Sequence, residues 1–140
     1  MPMKIDKKQS YADNMRLSGM SCVCLVLRRV VEIFMGISQT LVSEIVKRIL
    51  GVAEPQRIIL FGSAATGEMS KDSDIDLLVL ESAPGDTRKE SVRIRRAVRG
   101  LGHPFDIIVM AAERFEESKN VVGGIAYPAN KYGKVIYEAA

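Results

Sequence analysis

Two aspartates spaced one residue apart, Asp74 and Asp76, lead into an apolar run at residues 77–80. Alternate residues of a β-strand point to the same face, so a strand that begins here projects both acids together. Two carboxylates about 4 Å apart repel each other by about 4 kcal/mol at an effective dielectric constant near 20, and a bound cation removes that cost. The spacing therefore predicts a metal site built from aspartate oxygens.

A third acid, Asp106, opens a later apolar run. These ligands are hard oxygens without a neighbouring histidine or cysteine cluster, which favours Mg²⁺ or Mn²⁺ over zinc. An isolated Asp-x-Asp is a weak signal, and acids that simply mark strand ends facing water are the alternative interpretation. That alternative requires the Asp-x-Asp pair, the glycine-serine pair of residues 62 and 63 and the third acid all to lie at strand ends by chance. We therefore predict that Asp74, Asp76 and Asp106 form one site.

A glycine-serine pair, Gly62 and Ser63, ends the apolar run that precedes these acids. Gly62 permits a close backbone approach that a Cβ would block, and a turn after it would aim amides and the Ser63 hydroxyl at a phosphate. No Gly-Lys-Ser/Thr follows, so this is not a Walker loop, and the glycine spacing does not match a dinucleotide-binding fingerprint. Phosphate binding beside paired metals indicates phosphoryl or nucleotidyl transfer.

Helical and strand patterns alternate around these residues, which predicts an α/β fold. A helix capped by Ser38 ends at Gly51, and a second one, capped by Thr87, runs to about Arg99. Apolar strands are predicted at 57–61, 74–80, 105–110 and 134–137, with a tight turn or short helix at 63–67. The segment between the last two strands reads as short helical pieces broken by Gly123, Gly124 and Pro128.

The composition fits one globular domain in a reducing compartment. The chain has 140 residues, 47% of them apolar, 26% charged, and a net charge of +3, which is too small to predict bulk nucleic-acid binding. Cys22 and Cys24 are too close for a useful disulfide, and the apolar stretch at 20–27 is too short to span a membrane. We expect a cytoplasmic protein without a membrane segment.

The first 36 residues read as an N-terminal extension to a domain at 37–140. Residues 1–18 are polar and offer little apolar surface to offset the entropy of ordering, while 21–35 has the spacing of an extra helix. Met35 directly precedes the first well-patterned helix, so it is a candidate start of the natural product.

The combined motif resembles a known family. Gly62-Ser63, ten intervening residues, Asp74-Ile75-Asp76-Leu77 and the later Asp106 are similar to the minimal nucleotidyltransferases of the DNA polymerase β superfamily, over about residues 38 to 140. The resemblance implies a nucleotidyltransferase-like fold, with a small mixed β-sheet flanked by α-helices.

The resemblance also implies roles for individual residues. Asp74 and Asp76 would bind two Mg²⁺ ions, with Mn²⁺ as an alternative, and Asp106 would complete the site and help to deprotonate an acceptor hydroxyl. Gly62 and Ser63 would hold the nucleotide's phosphates, and we add Ser73 and Lys71 as expected nucleotide contacts. Small prokaryotic members of this family commonly pair as antitoxins with a helical HEPN RNase toxin, and some transfer AMP from ATP to a tyrosine of that toxin. The resemblance implies the same partner and reaction for this chain.

One departure from the family leaves rival interpretations open. Many relatives carry an arginine just before the second glycine of the turn, whereas this chain reads Ala64-Ala65-Thr66-Gly67. A catalytically weak or silent module that neutralises its toxin by contact is one rival. An enzyme that modifies a small molecule such as an aminoglycoside is the other, although it would normally need an additional domain.

The segment from 88 to 99 concentrates positive charge. It is a solvated outer face in the plainer interpretation, and a docking surface for an acidic partner or RNA in the sharper one. The basic side chains are Arg88, Lys89, Arg93, Arg95, Arg96 and Arg99.

Overall fold

The computed structural model of this chain describes residues 37–140. The predicted extension, with its helix at 21–35 and Cys22 and Cys24, lies outside the described residues. Within them the chain forms five helices and four strands, in the order α1 Gln39–Leu50, β1 Arg57–Phe61, α2 Ser63–Thr66, β2 Ile75–Glu81, α3 Thr87–Ala97, β3 Phe105–Ala111, α4 Ala112–Ser118, α5 Ala126–Tyr132 and β4 Lys134–Glu138.

The four strands make one mixed sheet in the order β3-β2-β1-β4. β1 pairs antiparallel with both β2 and β4, whereas β2 and β3 are parallel. Parallel neighbours need a crossover connection, and α3 supplies it. The predicted α/β fold with a small mixed sheet flanked by helices is confirmed.

Helices cover both faces of the sheet, which explains why the strands are continuously apolar. Leu77 and Val79 pack in one cluster with residues of α1 and α3. Leu78 and Leu80 point the other way and pack with residues of α4 and α5. A strand buried on both faces has no polar alternation, as the run at 77–80 indicated.

The predicted boundaries of α1 are confirmed. The Ser38 side chain accepts a hydrogen bond from the Leu41 amide at 3.2 Å, and Gly51 caps the other end. Ile45 and Ile49 are fully buried against the sheet. A serine cap of this kind stabilises a helix by about 1 kcal/mol.

The predicted cap of α3 is wrong by one residue. Asp86 is the N-cap, and its carboxylate accepts hydrogen bonds from the amides of Arg88 and Lys89 at 3.1 Å, while Thr87 is the first helical residue. Two adjacent residues can both cap, and the aspartate's negative charge also suits the helix N-terminus. The helix ends at Ala97, slightly before the predicted Arg99.

The C-terminal elements agree with the sequence except at Pro128. Gly123 and Gly124 separate α4 from α5, but Pro128 is the third residue of α5 and does not break it. Amides of the first helical turn have no acceptor within the helix, so a proline there loses no hydrogen bond. Among residues 37–140, no helix has the length and apolar character needed to cross a membrane.

Candidate active site

The topology brings the predicted acids and the glycine-serine pair to one end of the sheet. Because β1 is antiparallel to β2, the last residue of β1, Phe61, lies opposite Asp76 near the start of β2. Because β2 and β3 are parallel, Asp76 also lies opposite Asp106. Gly62 and Ser63 follow Phe61 directly, so they lie at the same end of the sheet as the two aspartates.

Asp76 and Asp106 also share one face of the sheet. Each lies two residues before a side chain that packs toward α4 and α5, namely Leu78 and Ile108. Neighbouring strands lie about 4.8 Å apart, so in-register residues on one face are close neighbours. The structure therefore places these two carboxylates side by side.

Asp74 occupies a different position from the one predicted. The strand begins at Ile75 and ends at Glu81, so Asp74 is an exposed residue just before it. Its charge nevertheless acts on Asp76. Burial raises the pKa of the Asp76 carboxyl, and the negative charges of Asp106 and then Asp74 raise it further. All three acids thus belong to one electrostatic environment that favours a cation.

Asp106 has a positive neighbour that the sequence prediction did not include in the site. The Arg95 guanidinium donates a hydrogen bond to Oδ1 of Asp106 at 3.1 Å, and both side chains are 53% exposed. α3 connects the parallel strands β2 and β3 and runs back along the sheet, so its last turn lies beside the N-terminal ends of both strands. The position of Arg95 in the last turn of a crossover helix is the signal that could have identified it.

Gly62 is in close contact with Asp76. Its backbone has φ 69° and ψ −154°, a conformation that side-chain-bearing residues rarely adopt. A Cβ at this position would overlap Oδ2 of Asp76 and lie 3.2 Å from its Cγ. The absence of a Cβ at Gly62 therefore leaves room for the Asp76 carboxylate, whereas the predicted contact between Gly62 and a phosphate stays a prediction.

The turn after Gly62 is a four-residue helix, α2. The amides of Ala65 and Thr66 donate to the Gly62 carbonyl at 3.1 and 3.3 Å. The side chains of Ala64 and Ala65 are buried in the core. Thr66, just before the second glycine, is exposed and donates its hydroxyl to the Ser63 carbonyl at 3.3 Å. The turn is thus anchored by two alanines, with Thr66 open to solvent.

The two remaining predicted nucleotide contacts lie in the loop before β2. The Ser73 hydroxyl accepts a hydrogen bond from the Ser70 amide at 2.9 Å and lies 2.8 Å from the Ser70 hydroxyl. Lys71 is exposed. The Ser73 hydroxyl therefore bonds within its own loop, whereas the Lys71 side chain forms no hydrogen bond or ion pair with any other residue among 37–140.

The donor atoms fit a hard divalent cation, although the ligands are not yet gathered around one point. Among residues 37–140, no group of three acidic, histidine or cysteine side chains has the arrangement of a metal site. The fit comes from the side-by-side carboxylates of Asp76 and Asp106, from the raised pKa of Asp76, and from oxygen donors of the type that Mg²⁺ and Mn²⁺ prefer.

Comparison with known proteins identifies one family. Residues 40–127 match the family model described as nucleotidyltransferase domain. The matched range includes the Gly62 turn, all three aspartates and α3. No curated protein matches the sequence.

The solved structures that are similar to the chain include two toxin-antitoxin complexes. A chain of a crystal structure of a toxin-antitoxin with AMP-PNP is 20% identical, the match covers 70% of this chain and 73% of that chain, and the TM-score is 0.47. A chain of the tri-AMPylated Shewanella oneidensis HEPN toxin in complex with MNT antitoxin is 20% identical, with 72% of each chain covered and a TM-score of 0.49. Both likenesses are distant.

Proposed function

The chain belongs to the nucleotidyltransferase domain family, and on that premise we propose that it is a metal-dependent nucleotidyltransferase that moves AMP from ATP onto a hydroxyl of a partner protein. The observation that carries this proposal is the in-register pair Asp76 and Asp106 beside the Gly62 turn. Two neighbouring carboxylates next to a side-chain-free turn suit a nucleoside triphosphate with its divalent cations.

Each residue of the site has a separate task in the proposed reaction. Asp74, Asp76 and Asp106 would hold two Mg²⁺ or Mn²⁺ ions, which when bound stabilise negative charge on the phosphates. Asp106 would also help to accept the proton of the attacking hydroxyl, and its Oδ1 accepts a hydrogen bond from Arg95 in this structure. The acceptor oxygen bonds to the α-phosphorus as the bond to the β-phosphate breaks, and pyrophosphate leaves. Gly62 and Ser63 would contact the leaving pyrophosphate, and the exposed Lys71 would contact the phosphates as well.

The proposed acceptor is a helical HEPN-type toxin, with this chain as its antitoxin. The support is the motif resemblance described above, Gly62-Ser63 followed by Asp74-Ile75-Asp76. We propose the cytoplasm as the compartment, since ATP and Mg²⁺ are both abundant there.

The test is transfer of label from α-labelled ATP to the co-expressed partner in the presence of Mg²⁺. Wild-type protein should label the partner, whereas Asp76→Asn should lose the activity because it removes a carboxylate ligand. Asp86→Asn is the matched control, since asparagine caps a helix as well as aspartate does and Asp86 lies outside the site. Transfer that survives Asp76→Asn would show that the site is assigned incorrectly.

A silent binding module is the second candidate, and the turn is the observation that favours it. Thr66 stands where many relatives carry an arginine, so a contact to the triphosphate is missing. If wild-type protein binds the partner and protects cells, but neither wild type nor Asp76→Asn transfers label, the silent module is the correct function.

A further inference from the structure

A shallow groove lies along the exposed side of α3, where this helix meets Val52, two residues after the end of α1. Its volume is about 690 Å³. Three apolar side chains, Val52, Val92 and Ala97, contribute to its lining, and Val92 is 43% exposed. We call this feature the α3 groove.

Four basic side chains complete the lining, namely Arg88, Lys89, Arg93 and Arg96. Arg88, Val92 and Arg96 are spaced four residues apart, so they form one row along the helix. The cations therefore lie on both sides of an exposed apolar residue.

Local acids neutralise only part of this charge. Lys89 pairs with Asp86 at 3.7 Å and Arg93 pairs with Glu90 at 2.8 Å, and both are short-range pairs on one helix. The Lys89–Asp86 pair is exposed, and such pairs stabilise little and are readily exchanged. Glu90 is half-buried, so its pair with Arg93 is less open to exchange. Within the described part of the chain, neither Arg88 nor Arg96 has an acidic partner at ion-pair distance. The α3 groove thus carries an excess of positive charge around an apolar floor.

This surface is separate from the candidate active site. Arg95, the residue before Arg96, turns to Asp106. Successive residues of a helix are about 100° apart around its axis, so one helix presents Arg95 to the acids and Arg96 to the α3 groove. Occupation of the α3 groove therefore does not require displacement of Arg95.

We propose that the α3 groove docks an acidic segment of a partner protein. An apolar side chain of that segment would pack on Val52, Val92 and Ala97, and its carboxylates would pair with Arg88 and Arg96. Protein–protein interfaces are apolar at their buried centre and are enriched in arginine. A nucleic acid fits less well, because the lining includes no aromatic ring on which a base could stack.

The test uses synthetic peptides as probes, with binding followed by fluorescence anisotropy at low and physiological salt. One peptide is glutamate-rich with a central leucine, a second has serine in place of that leucine, and a single-stranded uridine oligonucleotide is the third probe. The leucine peptide should bind wild-type protein about fivefold more tightly than the serine peptide, because it buries part of a leucine side chain. A Val92→Ser variant should reduce that difference.

Charge reversal then locates the binding site. Arg88→Glu with Arg96→Glu should weaken the leucine peptide by at least about tenfold, through loss of attraction and added repulsion. Arg99→Glu with Arg114→Glu changes the net charge equally at two exposed residues outside the groove, and it should weaken binding by less than about twofold. Circular dichroism checks the fold, and if the double reversal does not fold, the Val92→Ser comparison decides.

Three results would overturn the proposal: equal losses in the two double variants, absence of a preference for leucine, or selective binding of the oligonucleotide in the groove. Labelled transfer from ATP is measured on the same variants. Because the α3 groove is separate from the aspartates, loss of peptide binding with intact transfer, or the reverse, distinguishes this proposal from the proposed function.

Discussion

Replacement of Gly62 by alanine tests the contact around which the candidate site is arranged. At φ 69° and ψ −154°, a residue with a side chain is strained by about 1–3 kcal/mol. The new Cβ would also overlap Oδ2 of Asp76, and rotating that carboxylate away from its preferred conformation costs about 0.5–1.5 kcal/mol. We expect Gly62→Ala to lower the free energy of unfolding by about 1.5–4.5 kcal/mol, the sum of these two contributions.

Urea denaturation followed by circular dichroism measures this loss, and a second glycine isolates the backbone contribution. Gly100 has φ 88° and open space where a Cβ would lie. Gly100→Ala should therefore show backbone strain alone, about 1–2 kcal/mol. A Gly62→Ala variant that is no less stable than Gly100→Ala would contradict the predicted overlap.

A double-mutant cycle with Asp76→Ala isolates the overlap itself. Without the carboxylate, the nearest remaining atom of residue 76 is its Cβ, at an ordinary contact distance of 3.5 Å. Gly62→Ala should then cost about 1 kcal/mol less in the Asp76→Ala background than in the wild type. Equal costs in the two backgrounds would refute the conclusion that Gly62 lies against Asp76.

Three further predictions concern the charges of the site. The pKa of Asp76 is raised in the folded protein, so the free energy of unfolding falls as pH rises from the ordinary value of 3.8 through the folded value. Without divalent cations, Asp76→Asn should therefore be more stable than the wild type at pH 7, by less than about 1 kcal/mol because water screens this half-buried carboxyl, and urea titrations should show the gain vanish below pH 3.8. Arg95→Ala removes the cation paired with Asp106 and should tighten Mn²⁺ binding about two- to fivefold, as measured by calorimetry. An unchanged affinity, or an equal gain in Arg99→Ala, would refute the idea that Arg95 competes with the metal ion for Asp106. Thr66→Arg restores a cation on an exposed residue of the turn and should lower the KM for ATP about three- to tenfold; an unchanged KM would show that the turn does not face the phosphates.

Some features of the chain follow from residues close together in sequence. The start and end of α1 depend on Ser38 and Gly51, which act within one helical turn of each boundary. The continuous apolar runs of β1 and β2 require coverage on both faces, and that coverage is present. Two predictions from local sequence were wrong. Thr87 was predicted to cap α3, but the adjacent Asp86 is the N-cap. Pro128 was predicted to break the helix, but it lies in the first turn of α5, where a proline is tolerated.

By itself, the sequence determined the residue types of the site, the α/β character of the fold and the family motif, because each of these depends on the identity and spacing of residues that are close together in the chain. Only the tertiary structure decided that Asp76 lies opposite Asp106, that Arg95 pairs with Asp106, and that Val52 joins α3 in a basic groove. Strand order and register depend on how helices and strands pack over long separations in the chain. No local pattern of residues specifies those contacts, so they emerge only when the whole core assembles.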